Sequence, residues 1–389
     1  MRMTLIAPEL QNVNLIKEGA IPFMFYKHIG YDVTIVSHKI GDYPYLESIV
    51  KGIHLEFINH TRIKKGSNPR SLFNISRNSI VQYLKENAKN IDILHLTGFS
   101  KETFVYAFYY KKYNKNGLCY AKCDTDYGIV HIDYLENVLK RYFLKYFFNK
   151  VDFYSVESSP VLKSLLEKYP GILKGLLKFP VPYVFIPPDS FQKEIKKEKI
   201  ILTVARIGTY QKNTELLLRA FSKLKRNDWK LVLIGPIDNP EFNEEFKRLL
   251  EQNPGLELRV ELAGNIADRE ELFDWYRKAS IFCLPSRHES FGIALLESAY
   301  FECYPVTTGI QEIPAAFDIT NNWKFGVQFP SDNEEELIKI LTHITSPGFE
   351  NELRQVSSDL SNHIKTNFDG KSVVEKIHKI FTNYLKRLQ

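Results

Sequence analysis

The stretch IILTVARIGTYQKNTELLLRAF, residues 200–221, decides how the chain is read. Ile200–Val204 is a short β-rich apolar run, and Glu215–Leu224 has the apolar spacing of a helix that covers a sheet. Lys230–Ile234, Leu256–Leu262, Ile281–Leu284 and Tyr304–Thr307 repeat the strand signal. Phe242–Leu250, Glu270–Lys278 and Ile293–Phe301 fill the gaps with helical patterns. Such β-α alternation implies a parallel sheet with helices on both faces, because parallel strands need crossover connections. In a doubly wound sheet the ligand sits at the carboxyl ends of the strands, on the loops that enter the helices.

Working outward, the first half alternates less cleanly. Met3–Ala7, Asp32–Ser37, Gly52–Phe57, Asp92–Leu96, Leu118–Lys122 and Asp152–Ser155 are its strands, with helices over Val81–Lys89 and Val161–Tyr169. Between the halves, Phe179–Asp189 is proline-rich and aperiodic, as suits a linker. Lys371–Leu388 is an amphipathic helical pattern after Asp369 and Gly370. A chain of 389 residues exceeds one ordinary domain, so two are expected.

Composition narrows the function. With 44% hydrophobic and 25% charged residues, the chain has enough apolar surface to fold. No stretch approaches the ~18 apolar residues of a spanning helix, and Met1–Leu10 is a poor signal peptide. Cys119, Cys123, Cys283 and Cys303 form neither a disulfide framework nor a zinc site, so a reducing cytoplasm is expected. Residues 1–190 carry +8 and residues 191–389 carry −2, within a total of +6. The basic half suits an anionic partner, but the charge is too weak for nucleic acid and no aromatic-plus-Arg ladder is evident.

Three pieces of the second half carry chemistry. Arg206 follows a strand end and Lys212 precedes a helix capped by Asn213 or Thr214. Two cations beside the positive end of a helix dipole make a pyrophosphate clamp, or else two solvated loop charges. In HESFGIALLE, residues 288–297, Glu289 stands before a helix opened by Ser290 and Gly292, and Glu297 lies about two turns inside it. The first carboxylate can accept sugar hydroxyl protons and the second can hold a ribose diol; the plainer alternative is a dipole-complementing Glu289 and a surface Glu297. Third, the turn Gly264-Asn265-Ile266 can admit a flat base, although glycine marks many turns.

Taken together, the order and spacing of Arg206, Lys212, the Gly264 turn and the Glu289–Glu297 pair resemble the retaining GT-B glycosyltransferases of the group-1 (family-four) type. The likeness is close over residues 200–330 and extends elsewhere only as layout. It implies an α/β fold of two Rossmann-like doubly wound domains facing across a cleft. Residues 1–184 would form the acceptor-side domain, joined by a returning helix at 371–389, and residues 185–370 the donor domain.

The resemblance implies that Arg206 and Lys212 hold the donor diphosphate. It puts sugar hydroxyls at Glu289, beside the Ser290 helix entrance and the amides of Phe291, Gly292 and Ile293. It puts the ribose at Glu297 and the base at Gly264, Asn265 and Ile266. The chain departs from the family at Thr307–Ile313, where relatives have a Gly-rich loop. On the acceptor side the resemblance points to the Gly19 loop and to a polar group at the end of a later strand. Asp124 is the first candidate for the acceptor hydroxyl, Asp126 the second and His95 a third; a lone strand-end His is more often structural.

Asp124-Thr125-Asp126 also has the D-x-D form of a manganese site. Arg, Lys and helix amides already supply the positive charge that a leaving diphosphate needs, so neither metal nor other cofactor is expected. The implied activity is hexose transfer with retention from a UDP- or GDP-sugar to a glycan, lipid-linked or protein acceptor, in cell-surface polysaccharide or glycolipid synthesis. The basic, aromatic stretch Leu139–Phe148 and the charges from Arg62 to Arg70 raise peripheral contact at the inner membrane face, or else burial of the aromatics and a solvated basic edge. A rival reading is a catalytically silent GT-B subunit that binds a glycan or steadies a partner enzyme. A same-fold epimerase or phosphorylase is a further possibility, although phosphorylases of this fold are longer.

Overall fold

The computed structural model describes residues 1–59, 78–123, 145–146, 148–169, 175–180 and 194–388. Asp124 and Asp126, the Arg62–Arg70 charges, most of Leu139–Phe148 and most of the Phe179–Asp189 linker lie outside them. Two compact units emerge. One comprises Met1–Glu157, Val161–Phe185 and Phe368–Gln389; the other comprises Ser158–Pro160 and Ile186–Asn367.

The first unit is built on seven strands: β1 (Arg2–Ile6), β2 (Asp32–Ser37), β3 (His54–Phe57), β4 (Ile93–Thr97), β5 (Leu118–Cys123), β6 (Phe153–Val156) and β7 (Leu176–Lys178). They lie in the order β3-β2-β1-β4-β5-β6-β7, and every pairing is parallel. The second unit has six: β8 (Glu198–Val204), β9 (Lys230–Ile234), β10 (Val260–Gly264), β11 (Ala279–Leu284), β12 (Tyr304–Thr308) and β13 (Val327–Phe329). Their order is β10-β9-β8-β11-β12-β13, again parallel throughout. Both sheets are α/β doubly wound sheets of the GT-B kind. Each reverses its strand order once, between β1 and β4 in one and between β8 and β11 in the other.

Burial explains the sequence pattern. All six residues of β11 are buried, since helices cover both faces of that central strand. In the Thr214–Ser222 helix, Leu216, Leu217, Leu218, Ala220 and Phe221 face a core shared with Leu337 and Leu341. All four cysteines are buried and free.

The structure departs from the sequence expectation in places. Leu256–Leu258 is a 3-10 turn rather than strand, entered through Gly255 at φ 88°, and β10 begins only at Val260. β7 and β13 are three residues each, too short to show a period. The helices Lys101–Tyr113, Pro314–Ile319, Glu334–Ile344 and Glu350–Asn367 complete the layers.

The terminal helix, Gly370–Leu388, packs on the first unit through Val373, Val374, Ile377 and Phe381. The ring of Phe381 lies 6.0 Å from Phe25, 5.2 Å from Tyr120 and 5.8 Å from Phe153. Tyr384 donates to Asp152 at 2.5 Å. Phe381→Ala is expected to destabilise the protein by about 3–5 kcal/mol, the usual cost of emptying a packed aromatic site. Urea denaturation measures it, and a loss below about 1 kcal/mol would mean that the helix is not anchored there.

Candidate active site

The loop after β8 is folded by its own backbone. Ile207 donates to Pro236 O at 2.8 Å, and both Lys212 and Asn213 donate to Thr209 O, at 3.0 and 3.1 Å. Asn213 is the N-cap of the next helix, in a left-handed conformation at φ 50°. Its side chain does not cap that helix; it donates to Asp332 Oδ1 at 3.0 Å. The Thr214 hydroxyl accepts the Gly208 amide at 3.0 Å. This tight turn carries Lys212 toward the loop after β11.

There Lys212 Nζ forms an ion pair with Glu289 Oε1, with side-chain exposures of 16% and 9%. Ser286 donates to the same Glu289 oxygen at 2.9 Å, and the Glu289 amide donates to Glu312 O at 2.7 Å. Gln211 donates to His288 O at 2.9 Å, while its side-chain oxygen accepts from Arg206 Nη2 at 2.8 Å. The structure thus brings Lys212 to Glu289 directly and links Arg206 to the same loop through Gln211. Arg206 remains 55% exposed, 3.9 Å from Asp238.

Arg287 closes the outer side. It donates to Tyr210 O at 2.7 Å, stacks on the Tyr210 ring at 4.2 Å and pairs with Asp332 at 2.6 Å. Its hydrogen bonds hold the Asp332 carboxyl below the ordinary carboxylate range. Sequence reasoning missed Gln211, Ser286, Arg287 and Asp332. Arg287 adjoins the quoted HESFG run, but Asp332 sits beyond β13, where nothing local marks it.

Gly292 is the N-cap of the Ile293–Tyr300 helix, at φ 81°. Only glycine enters that conformation without strain, and it leaves the helix's first amides without a side-chain acceptor of its own. Phe291 is buried beneath this entrance, which Ser290 precedes. Glu297 is buried rather than on the surface. It takes an ion pair from Arg269 on one oxygen and a hydrogen bond from the Tyr276 hydroxyl on the other, at 3.2 Å. Burial pushes the Tyr276 hydroxyl well above its ordinary pKa, so it stays a donor. Gly264 ends β10 at φ 71°, followed by exposed Asn265 and half-buried Ile266. Asp268 then caps the Arg269–Lys278 helix by accepting from Glu270 and Glu271 amides.

Behind this corner lies Lys197. Its ammonium reaches the carbonyls of Tyr276, Ala279 and Phe301 at 3.0, 2.7 and 2.6 Å. These carbonyls end the helices that bear Arg269, Tyr276 and Glu297. Desolvation lowers the Lys197 pKa from the usual lysine value.

Of the acceptor-side candidates in the first unit, Gly19 and His95 lie among the described residues, and Asp124 and Asp126 do not. His95 stands mid-strand, not at the strand end, because β4 runs on to Thr97. It is fully buried, its ring 4.7 Å from Tyr120, which fits a core histidine rather than an acceptor contact. Gly19 precedes the short Ala20–Met24 helix, where a Cβ would meet Leu15 O at 2.5 Å; close packing explains the glycine. A cavity of about 500 Å³ does open at the ends of β1 and β4, lined in part by Glu9, Asn14, Glu18, His38, Ser100 and Glu102. Among the described residues, no three His, Cys, Asp or Glu form a group able to hold a metal, and no helix is long and apolar enough to cross a membrane.

Comparison with known proteins finds similarity to glycosyltransferases. Residues 186–358 match the family Glycosyl transferases group 1. The phosphatidylinositol N-acetylglucosaminyltransferase GPI3 subunit of Saccharomyces cerevisiae (strain YJM789) is 22% identical, over 94% of this chain and 80% of its own length. Mannosylfructose-phosphate synthase of Agrobacterium fabrum is 30% identical, over 37% of this chain and 35% of its own. A glycosyltransferase structure from Rickettsia africae ESF-5 superposes with a TM-score of 0.74 at 20% identity, covering 99% of this chain and 98% of that one. Anabaena Alr3699/HepE, solved in complex with UDP and glucose, gives 0.70 at 13% identity, covering 98% and 100%. At such identities the two structures speak for the fold alone.

Lys197→Met should leave three helix-end carbonyls without their donor and cost about 2 kcal/mol or more. Urea denaturation reads it; unchanged stability would show that the ammonium does not lock the two helices.

Proposed function

We propose that the chain is a group-1 glycosyltransferase of GT-B fold that transfers a hexose, with retention, from a nucleoside-diphosphate sugar to a lipid-linked or glycan acceptor. The observation that carries this reading is the Lys212–Glu289 pair, which joins the loops after β8 and β11. Those two strands flank the reversal of strand order, where doubly wound sheets take their ligands.

In this reading Arg206, Lys212 and the open end of the Ile293 helix neutralise the departing diphosphate; such preorganised charge stabilisation is the chief source of rate acceleration in many enzymes. Glu289 receives sugar hydroxyls, and Glu297 receives the ribose. Gly264, Asn265 and Ile266 border the base. The positive charge is supplied by side chains and amides, so we propose that transfer needs neither metal nor other cofactor. Asp124 and Asp126 stand as proposed acceptor contacts. The donor we propose is a UDP- or GDP-sugar. The fungal relatives named as phosphatidylinositol N-acetylglucosaminyltransferase subunits favour an N-acetylhexosamine donor and a lipid acceptor; we propose that the acceptor is met at the inner membrane face. Because those relatives are named as subunits, work within an assembly is the second reading. A silent partner would have no need of a desolvated Lys212–Glu289 pair.

A panel of UDP-, GDP- and ADP-sugars, scored for slow donor hydrolysis without acceptor, tests the reading directly. One donor should be consumed, and consumption of none would favour the silent subunit. On that donor, Lys212→Ala and Glu289→Ala should each lower kcat by about 10²–10³-fold, the scale seen when one transition-state contact is lost. Either variant turning over at the wild-type rate would refute the assigned roles. Activity should survive EDTA; its complete loss would return the metal to Asp124 and Asp126.

A further inference from the structure

Glu297 is held in an unusual way for a carboxylate meant to meet a ligand. It is 7% exposed, and each of its oxygens already has a donor from the Arg269–Lys278 helix. Arg269 approaches Oε1, and its guanidinium stacks on the Phe273 ring at 4.7 Å. Tyr276 approaches Oε2 from two turns further along the same helix. The rigid planar guanidinium and the buried phenol together fix the plane of the carboxylate. An ionised carboxylate offers about four lone-pair sites, so two remain after these contacts. Two acceptor sites at fixed separation match two neighbouring hydroxyls.

We propose that Arg269 and Tyr276 are positioning residues, which orient Glu297 so that its two remaining lone pairs accept the 2′- and 3′-hydroxyls of the donor's ribose. The inference rests on the reading of Glu297 as the ribose-binding carboxylate. Arg269 also balances the charge of the buried carboxylate, and an ionised acceptor forms the stronger hydrogen bond. Lys197 completes the device from behind, because it fastens the ends of both helices that carry it. Neither Arg269 nor Tyr276 needs to touch the nucleotide.

The test compares binding of UDP and GDP with that of their 2′-deoxy counterparts by titration calorimetry on the full chain. Wild type should prefer the ribonucleotide by about tenfold or more, since a site built for a hydroxyl rejects the analogue that lacks it. Arg269→Met should bring that ratio to within about twofold, and Arg269→Lys should restore part of it. Tyr276→Phe should lower it less, because one donor remains. A general loss of structure would weaken both nucleotides alike and leave the ratio standing, so thermal midpoints are measured beside it. If Glu297→Gln loses the preference while Arg269→Met and Tyr276→Phe keep it, the positioning role is wrong and the ribose reading survives. If Glu297→Gln keeps the preference, the ribose reading fails and the positioning role falls with it.

Discussion

A largely buried ion pair between Lys212 and Glu289 ties together the strand-end loops of the second unit. Burying two charges costs more than their attraction returns unless further hydrogen bonds are made. Here Ser286 donates to the carboxylate, and the Glu289 backbone is pinned to Glu312 O. The pair joins positions 77 apart in sequence and so fastens the loop after β8 to the loop after β11. Around it Gln211, Arg287, Asn213 and Asp332 form a second ring of contacts across those two loops and the segment after β13. The arrangement is a rigid strand-end platform rather than two independent loops that happen to be near.

Much of that platform is legible in the sequence, because local physics sets it. Apolar runs such as Ile200–Val204 and Ile281–Leu284 fit only central strands, and the helices between them force a parallel sheet. The terminal helix announces itself by the spacing of Val373, Val374, Ile377 and Phe381. What fails to show is long-range or short. Arg269 and Asp332 carry no local mark, since their partners are decided by where β11 and β13 fall. β7 and β13 are too brief for a period, and the aromatic-rich Lys101–Tyr113 segment has no clean apolar stripe to announce a helix. His95 misleads because nothing in the sequence around it shows that its strand continues to Thr97, and a strand ending sooner would turn a core ring into a mouth residue.

The two cations proposed to hold the diphosphate are not equivalent, and burial sets the difference. Lys212 is balanced by Glu289, so the pair adds almost no net charge at a distance. Arg206 is more than half exposed, steered by Gln211 and only loosely attracted to Asp238. Its field, with that of the Ile293 helix entrance, is what an approaching dianion would meet first.

In the proposed reaction this order has a chemical use. An incoming diphosphate supplies the negative charge that Glu289 had been supplying to Lys212, while the sugar hydroxyls supply the donors that Lys212 had been supplying to Glu289. Each side chain then exchanges one hydrogen-bonding partner for another. The desolvation cost of holding both groups is met during folding, so little reorganisation is left for the moment when the glycosidic bond breaks. A clamp of two solvated lysines could bind the same diphosphate but would have to strip water and fix both side chains during the reaction itself. On the proposed reading, the Lys212–Glu289 pair is therefore the form in which the site is kept ready for its donor.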